Sequence, residues 1–180
     1  MAWNDVINEN YINTGVHGEM FVVDLFEVHT SIIEDLHRKG KRVICYFSAG
    51  TKEHRRPDYL DFPSDGLGLP NEDRPGDTWV DIKNKAHGYG LAIGLKNDVS
   101  QLDDLVGDFD FAINESCMDF DDCNRYKPFF DAIKPVFHIQ YVNSTTEGHR
   151  KQEEICSSSK RPHDMNTLIK HGMVNWKIGC

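Results

Sequence analysis

The feature that most constrains this chain is a rhythm: short apolar runs that stop at polar residues, alternating with amphipathic stretches. The first run, residues 21–25, contains Asp24. Ile32, Ile33 and Leu36 then fall at helical spacing, and Lys39-Gly40 supplies a basic last turn and a glycine stop. Residues 43–47 form a second run ending at Ser48-Ala49-Gly50. A long Pro/Gly/Asp-rich loop over 51–78 leads to a short extended piece at 79–82. Strands are predicted at 91–95, before Lys96-Asn97-Asp98, at 109–113, before Asn114-Glu115, and at 136–139. Helices are predicted near 100–106, 125–133 and 165–170, with a polar loop over 143–162 and a last strand at 174–178.

This alternation predicts an α/β fold, with a parallel sheet covered by helices. Polar groups repeat where strands end, and in a β/α barrel those C-terminal ends build the active site. A doubly wound sheet would normally open with a glycine-rich phosphate turn, and none follows the first strand. The rhythm fails once. Only eight residues (83–90) separate Ile82 from Leu91, whereas a parallel crossover needs about a dozen or more. With 180 residues against about 250 for a complete barrel, the expectation is one domain over 1–180, an incomplete barrel short of about two units.

Composition narrows the partners. With 39% hydrophobic and 27% charged residues the chain is globular rather than disordered. A formal net charge of -9 excludes a phosphate-binding surface of the nucleic-acid type. No apolar run is long enough for a membrane span, and Met-Ala-Trp-Asn-Asp lacks the basic and apolar regions of a signal peptide. Five cysteines (Cys45, Cys117, Cys123, Cys156, Cys180) leave one over if the others pair. Asn143-Ser144-Thr145 is a glycosylation sequon, relevant if the chain is secreted.

Glu115 is the sharpest candidate for chemistry. A carboxyl at a strand end among apolar residues can have its pKa raised and serve as a general acid, with the neighbouring Asn114 amide holding it or a sugar hydroxyl. The same position also suits a solvated or helix-capping glutamate. Asp24 fits either a buried ion pair with Lys96 or an arginine, or a contact to substrate hydroxyls; Lys96-Asn97-Asp98 carries the same two readings. Ser48 reads as a turn residue rather than a nucleophile, and Tyr46, Trp79 and Tyr141 as stacking walls or core. No metal or cofactor is expected. The histidines lack ligand spacing, and the 119–124 segment has Asn124 where a calcium loop requires glycine.

Several ordered motifs together resemble glycoside hydrolase family 114. They are Val22-Val23-Asp24-Leu25-Phe26, Val43-Ile44-Cys45-Tyr46-Phe47-Ser48-Ala49-Gly50, Arg56-Pro57-Asp58, Trp79-Val80-Asp81-Ile82, Gly94-Leu95-Lys96-Asn97-Asp98, Phe111-Ala112-Ile113-Asn114-Glu115-Ser116-Cys117 and Val136-Phe137-His138-Ile139-Gln140-Tyr141. The resemblance implies a (β/α)8 barrel, usually extracellular, that cleaves α-1,4-linked galactosamine polymers; some members are labelled α-galactosidases. It implies Glu115 as a catalytic carboxylate and Asp24, Lys96 and Asn97 as positions lining the sugar site; beside it, Tyr46, Ser48, Asn114 and Tyr141 stand as further candidates for substrate contact from their places near strand ends. In this family a further segment, bearing the other catalytic carboxylate, lies between Trp-x-Asp-Ile and the strand before Lys-Asn-Asp. Here Lys83-Asn84-Lys85-Ala86-His87 crosses that point directly, an apparent internal deletion near 83–86. That segment usually holds a cysteine too, which would leave Cys45 unpaired. The family often has Glu at the Gln140 position. The resulting expectation is a polysaccharide hydrolase with impaired catalysis, or a carbohydrate-binding pseudoenzyme.

Overall fold

Trp3–Asp5 (β1), Met20–Asp24 (β2) and Arg42–Tyr46 (β3) form a parallel sheet in the order β1-β2-β3. The computed structural model describes residues 2–7, 11–47, 50–54, 59–61, 64, 67–70, 75–80, 83–172 and 176–180. Helix α1 (Thr30–Arg38) joins β2 to β3. Its first turn is capped by the His29 side chain, which accepts from Ser31 N, and its last turn carries His37 and Arg38, which suit the negative end of the helix dipole.

The loop over 51–78 carries structure of its own. Thr51–Lys52 (β4), Leu67–Pro70 (β5) and Thr78–Val80 (β6) make an antiparallel sheet in the order β4-β6-β5. The part of the predicted 79–82 extended piece that is described, 79–80, therefore belongs to this excursion and not to the barrel wall, while 81–82 lie outside the described residues. A short helix, α2 (Lys83–Gly88), leads from it towards Gly94–Lys96 (β7).

The second large sheet joins β7, Phe111–Glu115 (β8), Val136–Tyr141 (β9) and Asn166–Lys170 (β10) in parallel, with Lys177–Gly179 (β11) antiparallel on the far edge. Helices α3 (Leu102–Leu105), α4 (Cys117–Phe120), α5 (Lys127–Asp131) and α6 (Thr145–Ser157) fill the connections. Two expectations are corrected here. Residues 165–170 are not helical: Thr167–Lys170 are all buried, and a short strand buried on both faces has no periodicity to distinguish it from a buried helix. The polar stretch at 143–162 is not all loop. Ser144, the N-cap, accepts from Glu147 N at 3.1 Å, and the Glu147 carboxylate accepts from Asn143 N, one residue before the cap, at 2.8 Å, so both bonds fix the start of α6.

Inward residues from both large sheets meet in one core. Trp3, Met20, Val22, Ile113, Phe137, Ile139 and Leu168 are buried together, with Ile44, Tyr46, Phe111 and Tyr141 packed against them. Trp3 and Phe111 both meet the Phe137 ring edge-on. Gly94 leaves room for the Phe111 ring, since a Cβ there would lie 2.1 Å from it. The alternate, outward residues pack under the helices: Val6, Phe21 and Val23 with Leu36 of α1, and Leu95, Ala112 and Val136 with Tyr126 and Phe129.

Between β1 and β10 the wall is closed by side chains rather than a strand ladder. Trp3 Nε1 donates to Asn166 Oδ1 at 3.1 Å, Lys170 Nζ to the Asp5 carbonyl at 2.5 Å, and Lys177 Nζ to the Trp3 carbonyl at 2.6 Å. On the other side, β3 and β7 are the terminal strands of their sheets among the described residues. The architecture is thus an α/β barrel left incomplete between β3 and β7, with parallel strands and covering helices.

Disulfides join Cys117 to Cys123 and Cys156 to Cys180, leaving Cys45 free. Among the described residues no helix is long and apolar enough to cross a membrane.

Candidate active site

Successive residues of a strand face opposite sides. The register that sends Val22, Ile113 and Ile139 into the barrel therefore aims Asp24, Glu115 and Tyr141 at its mouth, two residues further along each strand. By the same alternation Asp5, Tyr46, Lys96 and Lys170 end their strands facing inward. Sequence reasoning reached Asp24, Tyr46, Lys96, Glu115 and Tyr141, but not Asp5 or Lys170, because neither β1 nor β10 was recognised as a strand. The available signal was the shared form of these strands, each a short run closing on a charged residue.

Glu115 is held on every side. Its Oε2 accepts from Lys96 Nζ at 2.5 Å and from Asn97 Nδ2 at 3.2 Å, and its Oε1 accepts from Tyr141 OH at 3.0 Å. Its backbone N donates to Asn97 Oδ1 at 2.9 Å. Asn97 reaches both points from a left-handed backbone conformation, φ 58°, which asparagine tolerates better than most residues. Lys96 Nζ also stands 5.4 Å from the centroid of the Tyr46 ring, a cation–π approach spanning β7 and β3.

This setting reverses the expectation for the Glu115 proton. Burial pushes its pKa up, but the bond and charge of Lys96, then Asn97 and Tyr141, outweigh it and leave the carboxyl below its usual value. Glu115 is ionised at neutral pH. Tyr141 is shifted the other way, upward, by burial and by the negative charges of Glu115 and Asp5, so its hydroxyl remains a donor.

Asn114 does not hold the carboxylate. It is the residue next to Glu115 in β8 and so faces the opposite side. There it is buried, donating to Tyr126 OH at 2.9 Å and accepting from Cys117 N at 3.0 Å. Tyr126 OH in turn donates to the Asn97 carbonyl at 3.4 Å. Asn114 therefore supports the site from behind, and Asn97 does what sequence reasoning assigned to it. Asp24 Oδ1 accepts from Phe26 N at 2.8 Å and Glu27 N at 3.1 Å, shaping the turn after β2. Gln140 faces outward and donates to Asp119 Oδ2 at 2.9 Å. Ser48 lies outside the described residues.

Cys117, Cys123 and His138 place two sulfurs and a nitrogen within 4.8 Å of one another, but both sulfurs are committed to their disulfide.

A carboxylate fixed beside a lysine, an amide and a phenol thus stands at the C-terminal mouth of an α/β barrel, the end at which barrel enzymes carry their active sites. The sequence pattern of glycoside-hydrolase family GH114 matches residues 1–86 and 83–180, and the chain belongs to this family of glycosidases. The structure is similar to that of Ega3 from Aspergillus fumigatus, solved in complex with galactosamine: 26% identity, a TM-score of 0.73, and 99% of this chain and 94% of that one covered. The glycoside hydrolase domain of PelA from Pseudomonas aeruginosa shares the fold, with a TM-score of 0.57, 10% identity, and 99% and 96% of the two chains covered. Among curated proteins there is no significant sequence match.

Proposed function

We propose that this chain binds α-1,4-linked galactosamine chains at its barrel mouth and cleaves them poorly. The observation that carries this reading is the ionised Glu115, held by Lys96, Asn97 and Tyr141. A fixed negative charge at the barrel mouth stabilises the positive charge that develops on a sugar ring during glycoside cleavage. It also attracts an ammonium-bearing sugar, as does the net charge of -9. Galactosamine in the related Ega3 supports the amino-sugar choice.

Glycoside hydrolysis normally uses two carboxylates, one on each side of the bond. The six-residue α2, with the turn after it, stands where the family resemblance calls for a strand and its acidic motif. The two matched stretches of the family pattern, 1–86 and 83–180, meet at this same point. Asp5 and Asp24 remain at the mouth, yet neither stands on that missing strand. Two disulfides among the described residues suit an extracellular protein.

The test combines calorimetric titration of galactosamine oligosaccharides with a reducing-end assay on the polymer. Binding that weakens in Asp24→Ala, with cleavage far below that of an intact family member, supports the reading. Rapid cleavage sinks the claim of impairment, and absence of binding sinks the substrate. A carbohydrate-binding pseudoenzyme is the limit of this reading, reached if Glu115→Gln lowers binding while no cleavage is detected in either form.

A further inference from the structure

Two asparagines in the chain stand in the Asn-x-Ser/Thr pattern: Asn114-Glu115-Ser116 and Asn143-Ser144-Thr145. The fold separates them completely. Asn114 is 2% exposed, its amide nitrogen bound to Tyr126 OH inside the helix-covered core. A sugar on that nitrogen could not fit among the buried groups behind β8. Asn143 is exposed, in the connection from β9 to α6.

We propose that Asn143 is an N-glycosylation site, and that its glycan stands on the substrate-entry face of the barrel. Three observations carry this. Asn143 lies two residues beyond Tyr141, the β9 residue that bonds Glu115, and β-to-α connections lie on the C-terminal face of a barrel. Its local backbone is fixed through main-chain and neighbouring groups, Asn143 N donating to the Glu147 carboxylate and Ser144 Oγ accepting from Glu147 N, so neither bond engages the Asn143 carboxamide. The disulfides Cys117–Cys123 and Cys156–Cys180 fit the oxidising compartment in which such transfer occurs.

The transfer balances without a redox partner. The donor is an oligosaccharide carried on a polyprenyl diphosphate. Asn143 Nδ2 forms a bond to the anomeric carbon, the bond from that carbon to the diphosphate oxygen breaks, the lipid diphosphate leaves with the electron pair, and Nδ2 gives up one proton.

The experiment is expression of the full chain behind a secretory leader in a eukaryotic host, followed by intact-mass measurement before and after peptide:N-glycosidase. The expected result is loss of one glycan's mass, with the released peptide marked by conversion of Asn143 to aspartate. Asn143→Gln and Thr145→Ala should each abolish the shift, and Ser116→Ala should leave it intact. A secreted chain with no shift, or a glycan that persists in Asn143→Gln, overturns the proposal.

Discussion

Asn97 holds Glu115 by two bonds at once: its amide oxygen accepts from the Glu115 backbone N at 2.9 Å, and its amide nitrogen donates to the Glu115 carboxylate at 3.2 Å. One side chain thus fixes both the end of β8 and the direction of its terminal carboxylate. Asn97→Ala removes both bonds and places alanine at φ 58°, a conformation costing a non-glycine residue about 1 kcal/mol or more. The Glu115 pKa should rise. A carboxyl-carbon NMR titration checks this; an unchanged midpoint would show that Lys96 alone sets the charge.

Lys96→Met tests the larger contribution. Lys96 supplies the strongest force lowering the Glu115 pKa, while burial acts in the opposite direction. Without the ammonium, the midpoint should move upward past that of an ordinary glutamate. The sign for stability follows. In the native chain, a depressed folded pKa makes Glu115 contribute stability above the unfolded value, lost as pH falls through the folded one. Lys96→Met should lose that contribution at neutral pH, leaving a flatter acid limb in a plot of stability against pH.

Much of this geometry was legible from the chain, for a physical reason. β2, β3, β8 and β9 are apolar runs closing on polar residues, and that pattern alone places Asp24, Glu115 and Tyr141 at strand ends. Alternation within β8 would also have put Asn114 on the face opposite Glu115, had it been applied to these adjacent residues. β1 was illegible because Trp3–Asp5 is only three residues long, with a single apolar side chain, and the groups that close it to the far sheet, Asn166, Lys170 and Lys177, lie far along the chain. α6 was obscured by a weak apolar face, with Gly148 and Ile155 its only buried residues, although Ser144-x-x-Glu147 announced its start.

Tyr126 is the residue on which the rear of the site rests. It is fully buried, with its phenol pushed up to about 12 chiefly by burial, and it bridges Asn114 and the Asn97 carbonyl. Tyr126→Phe keeps the ring and strands the Asn114 amide without an acceptor. Leaving a buried donor unsatisfied costs about 1–3 kcal/mol. Urea unfolding should show that loss with an unchanged m-value, and the Glu115 titration should broaden or shift as Asn97 loosens. A stability equal to the parent chain would mean that water replaces the phenol.

The Cys156–Cys180 disulfide ties the residue after β11 to α6 across a separation of 24 residues. Closing a loop of that size restricts the unfolded chain by about 3 kcal/mol in the chain-entropy account. Cys156→Ser with Cys180→Ser should lower stability by an amount of that order and increase hydrogen exchange first in β11, the edge strand. The same measurement on the Cys117–Cys123 pair, separated by 6 residues, should show a smaller entropic loss.

His138 makes stability depend on acidity. It is fully buried in β9, with Nδ1 against Thr167 Oγ1 at 3.1 Å. Burial drives its pKa from 6.5 down to about 4. The unfolded chain therefore takes up a proton near pH 6.5 that the folded chain refuses until about pH 4. Unfolding binds protons in that window, so stability is full above it and falls as pH is lowered through it, by roughly 3 kcal/mol at the acid end. His138→Gln removes the titrating group. Thermal melts of both forms between pH 7 and pH 4 should diverge, the parent losing stability more steeply. Parallel curves would mean that the parent's acid sensitivity comes from carboxylates such as Glu115 and not from this buried imidazole.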